Sequence, residues 1–144
     1  METTEVIERL NVLLEAERAG VKVLKPMAAQ VKEAEDQALL EQVLRDEGRF
    51  CDGLAKRIQA LGGTPSKAIG DFVQKVEATE GLVAKLELLN RGQAWVVRKI
   101  EELLSSVEDE PTRSFLKGMR QAHLANVTAC EALVERLVEG PLEE

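Results

Sequence analysis

The chain has 144 residues, a formal net charge of −7, and 44% hydrophobic and 31% charged side chains. That length suits one domain, spanning 1–144, with a sizeable core, and the balance argues against a disordered or membrane-embedded chain. The acidic charge, without a basic run or interleaved aromatics, argues against nucleic acid as a partner. No stretch reaches the roughly 20 apolar residues of a membrane span, so no membrane partner is expected.

The opening Met1-Glu2-Thr3-Thr4-Glu5 lacks the order of a signal peptide. Cys51 and Cys130 stand far apart, with none of the spacing of a metal knuckle. A reduced, cytoplasmic protein is expected. Aromatics are few, Trp95, Phe50, Phe72 and Phe115 with no tyrosine, which suits aliphatic helix-on-helix packing.

Helical periodicity appears from about Thr4 to near Gln30, with Val6, Leu10, Leu14, Val21 and Leu24 in one stripe. Pro26 is expected to kink or shorten its end. Asp36 is the expected cap of a second helix striped by Leu40, Val43, Phe50, Leu54 and Leu61, and Gly62-Gly63-Thr64-Pro65 stops it. A third helix is expected from about Gly70 to Leu104, on Val83, Leu86, Val97 and Leu104. After a turn at Ser105 to Glu110, Pro111 suits the first position of a fourth helix. That helix carries Leu116, Met119, Cys130, Leu133 and Leu137, and Gly140-Pro141 is its expected end.

Four long amphipathic helices predict an all-α four-helix bundle. Extended at about 3.3 Å per residue, Gly62 to Gly70 spans near 30 Å, just enough to cross the bundle between helices two and three. A short antiparallel link satisfies the spacing equally; the long crossover is the expected form.

The apolar stripes contain polar residues: Glu17, Glu47, Asn90, His123 and Asn126 each face inward on the helical wheel. The first turn lies midway between Glu17 and Glu47. Asn90 and His123 flank the last turn almost symmetrically, so antiparallel pairing brings these residues toward one layer. Buried acids beside a lone histidine demand either a metal ion or a closed hydrogen-bond network, because unpaired burial is too costly.

Central glutamates on the first two of four helices, within Leu13-Leu14-Glu15-Ala16-Glu17-Arg18-Ala19-Gly20 and Arg45-Asp46-Glu47-Gly48-Arg49-Phe50-Cys51, resemble the metal-bearing stretches of the ferritin-like superfamily of di-iron carboxylate proteins. Within it the chain is similar to small bacterial ferritin-like proteins of unassigned function. The resemblance implies a ligand set of Glu, Glu-x-x-His, Glu and Glu-x-x-His. Glu17 and Glu47 match the glutamates of helices one and two, and His123 matches the last histidine. Phe50 stands in the place of the other histidine and Arg120 in that of the last glutamate. Asn90 and Gln93 occupy the inward positions of helix three, where Glu87 lies well off the stripe. A complete di-iron site is therefore not expected.

Two readings of the layer follow. In the first, His123 pairs with Glu17 or Glu47 while the amides of Asn90, Gln93 and Asn126 donate to the remaining carboxylate oxygens. The bundle is then a structural or interaction module whose metal layer has become a polar network. In the alternative, Glu17, Glu47 and His123 hold Fe or Mn, with zinc a further candidate, as a metal-dependent oxidoreductase or metal-binding protein. Asn90, Gln93 and Asn126 then serve as weak ligands or as donors behind the ligands. Gly92, mid-helix, predicts close approach of a neighbouring helix or a ligand. Trp95, off the stripe, is expected as a partly covered surface residue, with an interface of a homo-oligomer as the alternative.

Overall fold

The computed structural model describes residues 1–139, in five helices: α1 (Thr3–Gln30), α2 (Ala34–Ala60), α3 (Phe72–Glu77), α4 (Leu82–Leu104) and α5 (Glu110–Glu139). The expected stop at Gly140-Pro141 lies outside the described residues. Among them, no helix is long and apolar enough to cross a membrane.

α1 packs along α2, and α4 along α5, as two close antiparallel pairs; α1 meets α4, and α2 meets α5, more sparingly. The core falls into two apolar clusters. One end holds Val6, Leu10, Leu13, Leu54, Ile58, Ile100, Leu116 and Met119. The other holds Val23, Leu24, Met27, Leu40, Val43, Leu86, Leu89 and Leu133. Every long helix runs from one cluster to the other. Between them lie Glu17, Glu47, Gln93, His123 and Asn126, all buried.

α2 ends beside the start of α1, where Gly63 lies so close to Ile7 that a Cβ would stand 2.6 Å from its Cγ2. From there the chain climbs along α1. Asn11 Nδ2 donates to the Thr64 carbonyl at 3.2 Å, Ser66 Oγ to Glu15 Oε2 at 2.6 Å, and Arg18 to the Ala68 carbonyl at 2.5 Å. α3 then enters the far cluster through Val73 and Val76, and α4 starts at that end. The connection is thus the long crossover, and α2 and α4 run parallel.

Several expectations need correction. The third helix is not continuous from Gly70. The chain breaks after α3, where Thr79 Oγ1 donates back to the Lys75 carbonyl, and Gly81 turns at φ +91°, a left-handed conformation that favours glycine. Asp36 does not cap α2. The helix starts earlier, with the Gln37 amide bonded to the Glu33 carbonyl, and Asp36 is buried in its first turn, 2.6 Å from Arg136 on α5. α1 continues through Pro26 to Gln30 rather than shortening. Asp109 caps α5, accepting from the Thr112 amide and hydroxyl, so Pro111 is the second helical residue and not the first. Val21, Leu61, Val83, Leu104 and Leu137 are only partly buried, while Leu13, Val23 and Met27 carry the α1 core. α1 is enclosed by α2, α3 and α4 together, which widens its buried face beyond one stripe.

Candidate metal centre

Glu17 from α1, Glu47 from α2 and His123 from α5 converge at mid-bundle, 1%, 3% and 0% exposed. One ligand atom from each lies within 4.8 Å of the others. His123 Nε2 stands 3.1 Å from both oxygens of Glu17 and 3.2 Å from Glu47 Oε2. Its Nδ1 lies 3.0 Å from the Met119 carbonyl. A carbonyl only accepts, so Nδ1 carries a proton and Nε2 is the nitrogen presented to the carboxylates. Orientation of a ligating histidine by a backbone carbonyl is a recurrent support of metal sites.

Local sequence makes room for this group. At Gly20, one helical turn beyond Glu17, a Cβ would overlap Glu47 Oε1, so glycine is what lets that carboxylate lie across α1. The Phe50 ring covers His123, centroids 5.4 Å apart, and meets Phe115 edge-on. Burial drives the Glu47 carboxyl up from 4.5 to about 8, and the Glu17 charge adds to this. Burial opposes charge on His123, but Glu17 and then Glu47 outweigh it and raise the imidazolium from 6.5 to about 10. Glu47 and the imidazole thus both hold their protons more tightly than in water.

The amides do not close the layer into the expected network. Asn90 Nδ2 donates to the Val127 carbonyl at 3.2 Å. Gln93 Nε2 contacts Cys130 Sγ at 3.8 Å, and Asn126 Nδ2 donates to Asp46 Oδ2 at 3.2 Å. Each donor is thus engaged away from the carboxylates. Glu17 Oε1 and Glu47 Oε2 are buried with no partner other than His123 Nε2, 3.1 and 3.2 Å away, and the amide oxygens of Asn90 and Gln93 are buried with none. Asn90 is itself only partly buried.

Among the described residues, the positions that the resemblance assigns to the remaining ligands hold other side chains. Phe50 fills the site of a histidine with an apolar ring. Arg120 turns to the surface, where its Nε is 3.1 Å from Glu101. On α4 the buried position is Gln93, and Glu87 is exposed. Among the described residues, only Glu17, Glu47 and His123 form a cluster of potential metal ligands. A dinuclear iron centre does not fit these residues; a single cation does, because the two orphaned oxygens and Nε2 are the donors it needs.

A cleft of about 680 Å³ opens between α1 and α4 and reaches Glu17, Glu47 and Gln93. The crossover and α3 form one wall. Trp95 is partly covered, as expected, and lines this cleft, with Lys99 Nζ 5.6 Å above its ring. Gly92 does meet a close neighbour: a Cβ there would be 3.2 Å from the Phe72 ring. The cleft had no sequence signal, since it arises where two helices are held apart by a third. Cys51 and Cys130 are free thiols, pushed up by burial to about 12 and about 11, which favours the neutral thiol over the nucleophilic thiolate.

These features define a ferritin-like helical bundle with a Glu/Glu/His group able to hold a metal. The chain belongs to the family described as Domain of unknown function (DUF6306), which matches residues 4–132. In fold it is similar to a ferritin-like diiron-carboxylate protein of Bacillus anthracis, with 22% identity, a TM-score of 0.78, and coverage of 93% of this chain and 99% of that one. It is also similar to a dodecameric thioferritin, the bacterioferritin-related protein of Bacteroides fragilis, at 18% identity and TM-score 0.77, covering 99% and 94%. A mutant of Mycobacterium smegmatis Dps1 aligns at 16% identity and TM-score 0.72, covering 92% and 96%. At these identities the likeness is one of fold. No curated protein matches the chain in sequence.

Proposed function

We propose that this chain is a metal-binding ferritin-like protein in which Glu17, Glu47 and His123 hold one divalent cation, Fe(II) or Mn(II) before Zn(II). The observation that carries this reading is the pair of buried carboxylate oxygens, Glu17 Oε1 and Glu47 Oε2, facing one imidazole nitrogen and no other partner. Two carboxylates and one imidazole form a hard-to-borderline donor set that suits Fe(II) and Mn(II). Three protein ligands leave positions open, and a cation bound there supplies Lewis-acid or one-electron chemistry. The chain's own part is to fix His123 through Met119, to shield it with Phe50, and to admit small molecules along the α1–α4 cleft.

The structural-module reading keeps one observation in its favour. His123 Nε2 is within 3.1–3.2 Å of both glutamates, close enough for a protonated imidazole to bridge them. Thermal melting with and without chelator separates the two readings. A cation that binds only the folded state raises the melting temperature by mass action. Metal binding predicts that chelator lowers the melting temperature, that one of Fe(II), Mn(II) or Zn(II) restores it, and that Glu47→Gln abolishes the response. A curve unmoved by chelator and by all three metals leaves the network.

The acidic charge and free thiols support a cytoplasmic protein without nucleic-acid partners. The dodecameric state of the thioferritin supports a homo-oligomer, which light scattering tests directly.

A further inference from the structure

The α1–α4 cleft carries features that a cation site alone does not use. Arg91, Trp95 and Arg98 stand at i, i+4 and i+7 on α4 and all line it, so an arginine precedes and follows the tryptophan on that face, their backbone positions about 10 Å apart along the helix axis. Neither arginine has an ion-pair partner among the described residues. The acids next in sequence to Arg98 are already taken, Glu102 by Lys99 at 3.5 Å and Glu101 by Arg120 at 3.1 Å. Phe72 of α3 lies against Gly92 and gives the cleft a second aromatic residue, with Val96 also in its lining. Of the acids on the far rim, Glu15 is held by the Ser66 hydroxyl, and Asp71 is free.

From this we infer that the cleft binds a small organic anion with an apolar body, its acid group paired with Arg91 or Arg98 and its body against Trp95 and Phe72. The volume, about 680 Å³, lies within the roughly 300–1,000 Å³ usual for small-molecule sites. Such sites combine mainly apolar walls with a few polar groups that orient the ligand, as here. In a chain of net charge −7, two unpaired guanidinium groups beside an apolar cleft select an acid over a neutral or cationic molecule of the same shape. The cleft also reaches Glu17 and Glu47, so it borders the candidate metal centre. The inference goes beyond the metal reading and needs no bound cation, since none of its groups is a proposed ligand.

Trp95 is the only tryptophan of the chain, so its fluorescence reports on the cleft without a label. The test titrates decanoate, decanol and decyltrimethylammonium, each below its micelle concentration, into full-length protein kept in chelator. Decanoate is expected to change Trp95 emission saturably, with a Kd at least about tenfold below those of the other two, because a hydrogen bond to a charged group is worth about 1.5–3 kcal/mol. The double variant Arg91→Gln, Arg98→Gln should weaken decanoate about tenfold or more and leave decanol unchanged. Ala16→Phe, which fills the cleft from α1, should weaken both ligands. No saturable change, equal binding of all three probes, or unaltered decanoate binding in the arginine variant would overturn the inference. Because chelator is present throughout, the outcome bears on the cleft alone, and metal uptake is read separately.

Discussion

Gly20 on α1 and Glu47 on α2 are fitted to one another: a Cβ on Gly20 would overlap Glu47 Oε1. Glycine in a helix interior costs roughly 1 kcal/mol against alanine. Here that cost gives a carboxylate its place in the layer.

Gly20→Ala therefore separates stability from binding. The obstructed atom is the end of a flexible side chain, so the helix is retained and the metal-free melting temperature should stay within a few degrees of wild type. Glu47 has to swing away, and metal affinity by calorimetry should fall about 10–100-fold, the range for losing support of a ligand. Unchanged affinity would remove Glu47 from the ligand set.

The missing half of the di-iron pattern predicts a stoichiometry. Wild type should take up one metal per chain and oxidise Fe(II) no faster than buffer. Placing Phe50→His, Gln93→Glu and Arg120→Glu together supplies donors on all four sides, and metal analysis should then find a second equivalent. Saturable Fe(II) oxidation with a di-iron spectrum in the wild type would mean that other residues, or a second chain, complete the site.

The stripe-breaking residues made the candidate metal centre legible in part. Glu17, Glu47 and His123 were readable because a helical wheel places a charged residue on an apolar face whatever its rotamer, and matched spacing across each turn sets its height. The contacts of Asn90, Gln93 and Asn126 were not readable. A shift in side-chain torsion decides whether an amide meets a carboxylate or, as here, Val127, Cys130 or Asp46. The break before α4 left a trace in Thr79-Glu80-Gly81, a turn signal inside an otherwise helical period. The Asp36–Arg136 pair and the cleft left none, because each joins segments distant in sequence.

The protonation of the layer predicts how the metal-free protein responds to pH. Glu47 holds its proton up to about pH 8 when folded and ionises near 4.5 when unfolded. The folded state therefore binds more protons across that window, and stability falls as pH rises through it. His123, raised to about 10 from 6.5, contributes stability that is complete below 6.5 and is lost as pH rises through 10. Both effects have one sign. Urea midpoints in chelator should decline steadily from pH 5 to pH 10, and His123→Gln should flatten the upper part of that decline. A midpoint rising with pH would contradict the protonation assigned to these two residues.

Arg136 reaches across to the buried carboxylate of Asp36 at 2.6 Å, tying the start of α2 to the end of α5. The guanidinium is half exposed, so solvent weakens the pair and Arg136→Met should cost only about 1 kcal/mol. Asp36→Asn, which keeps shape and removes charge, should cost no more. A loss several times larger in the urea midpoint would show that the end of the bundle depends on this pair.

The central claim is that a metal ion belongs among Glu17, Glu47 and His123. Crystals grown in Mn(II), measured above the manganese absorption edge, test it most directly. The account predicts one anomalous peak per chain, about 2.0–2.6 Å from His123 Nε2 and from an oxygen of each glutamate. Manganese peaks confined to surface carboxylates, with His123 still in contact with both glutamates, would contradict it.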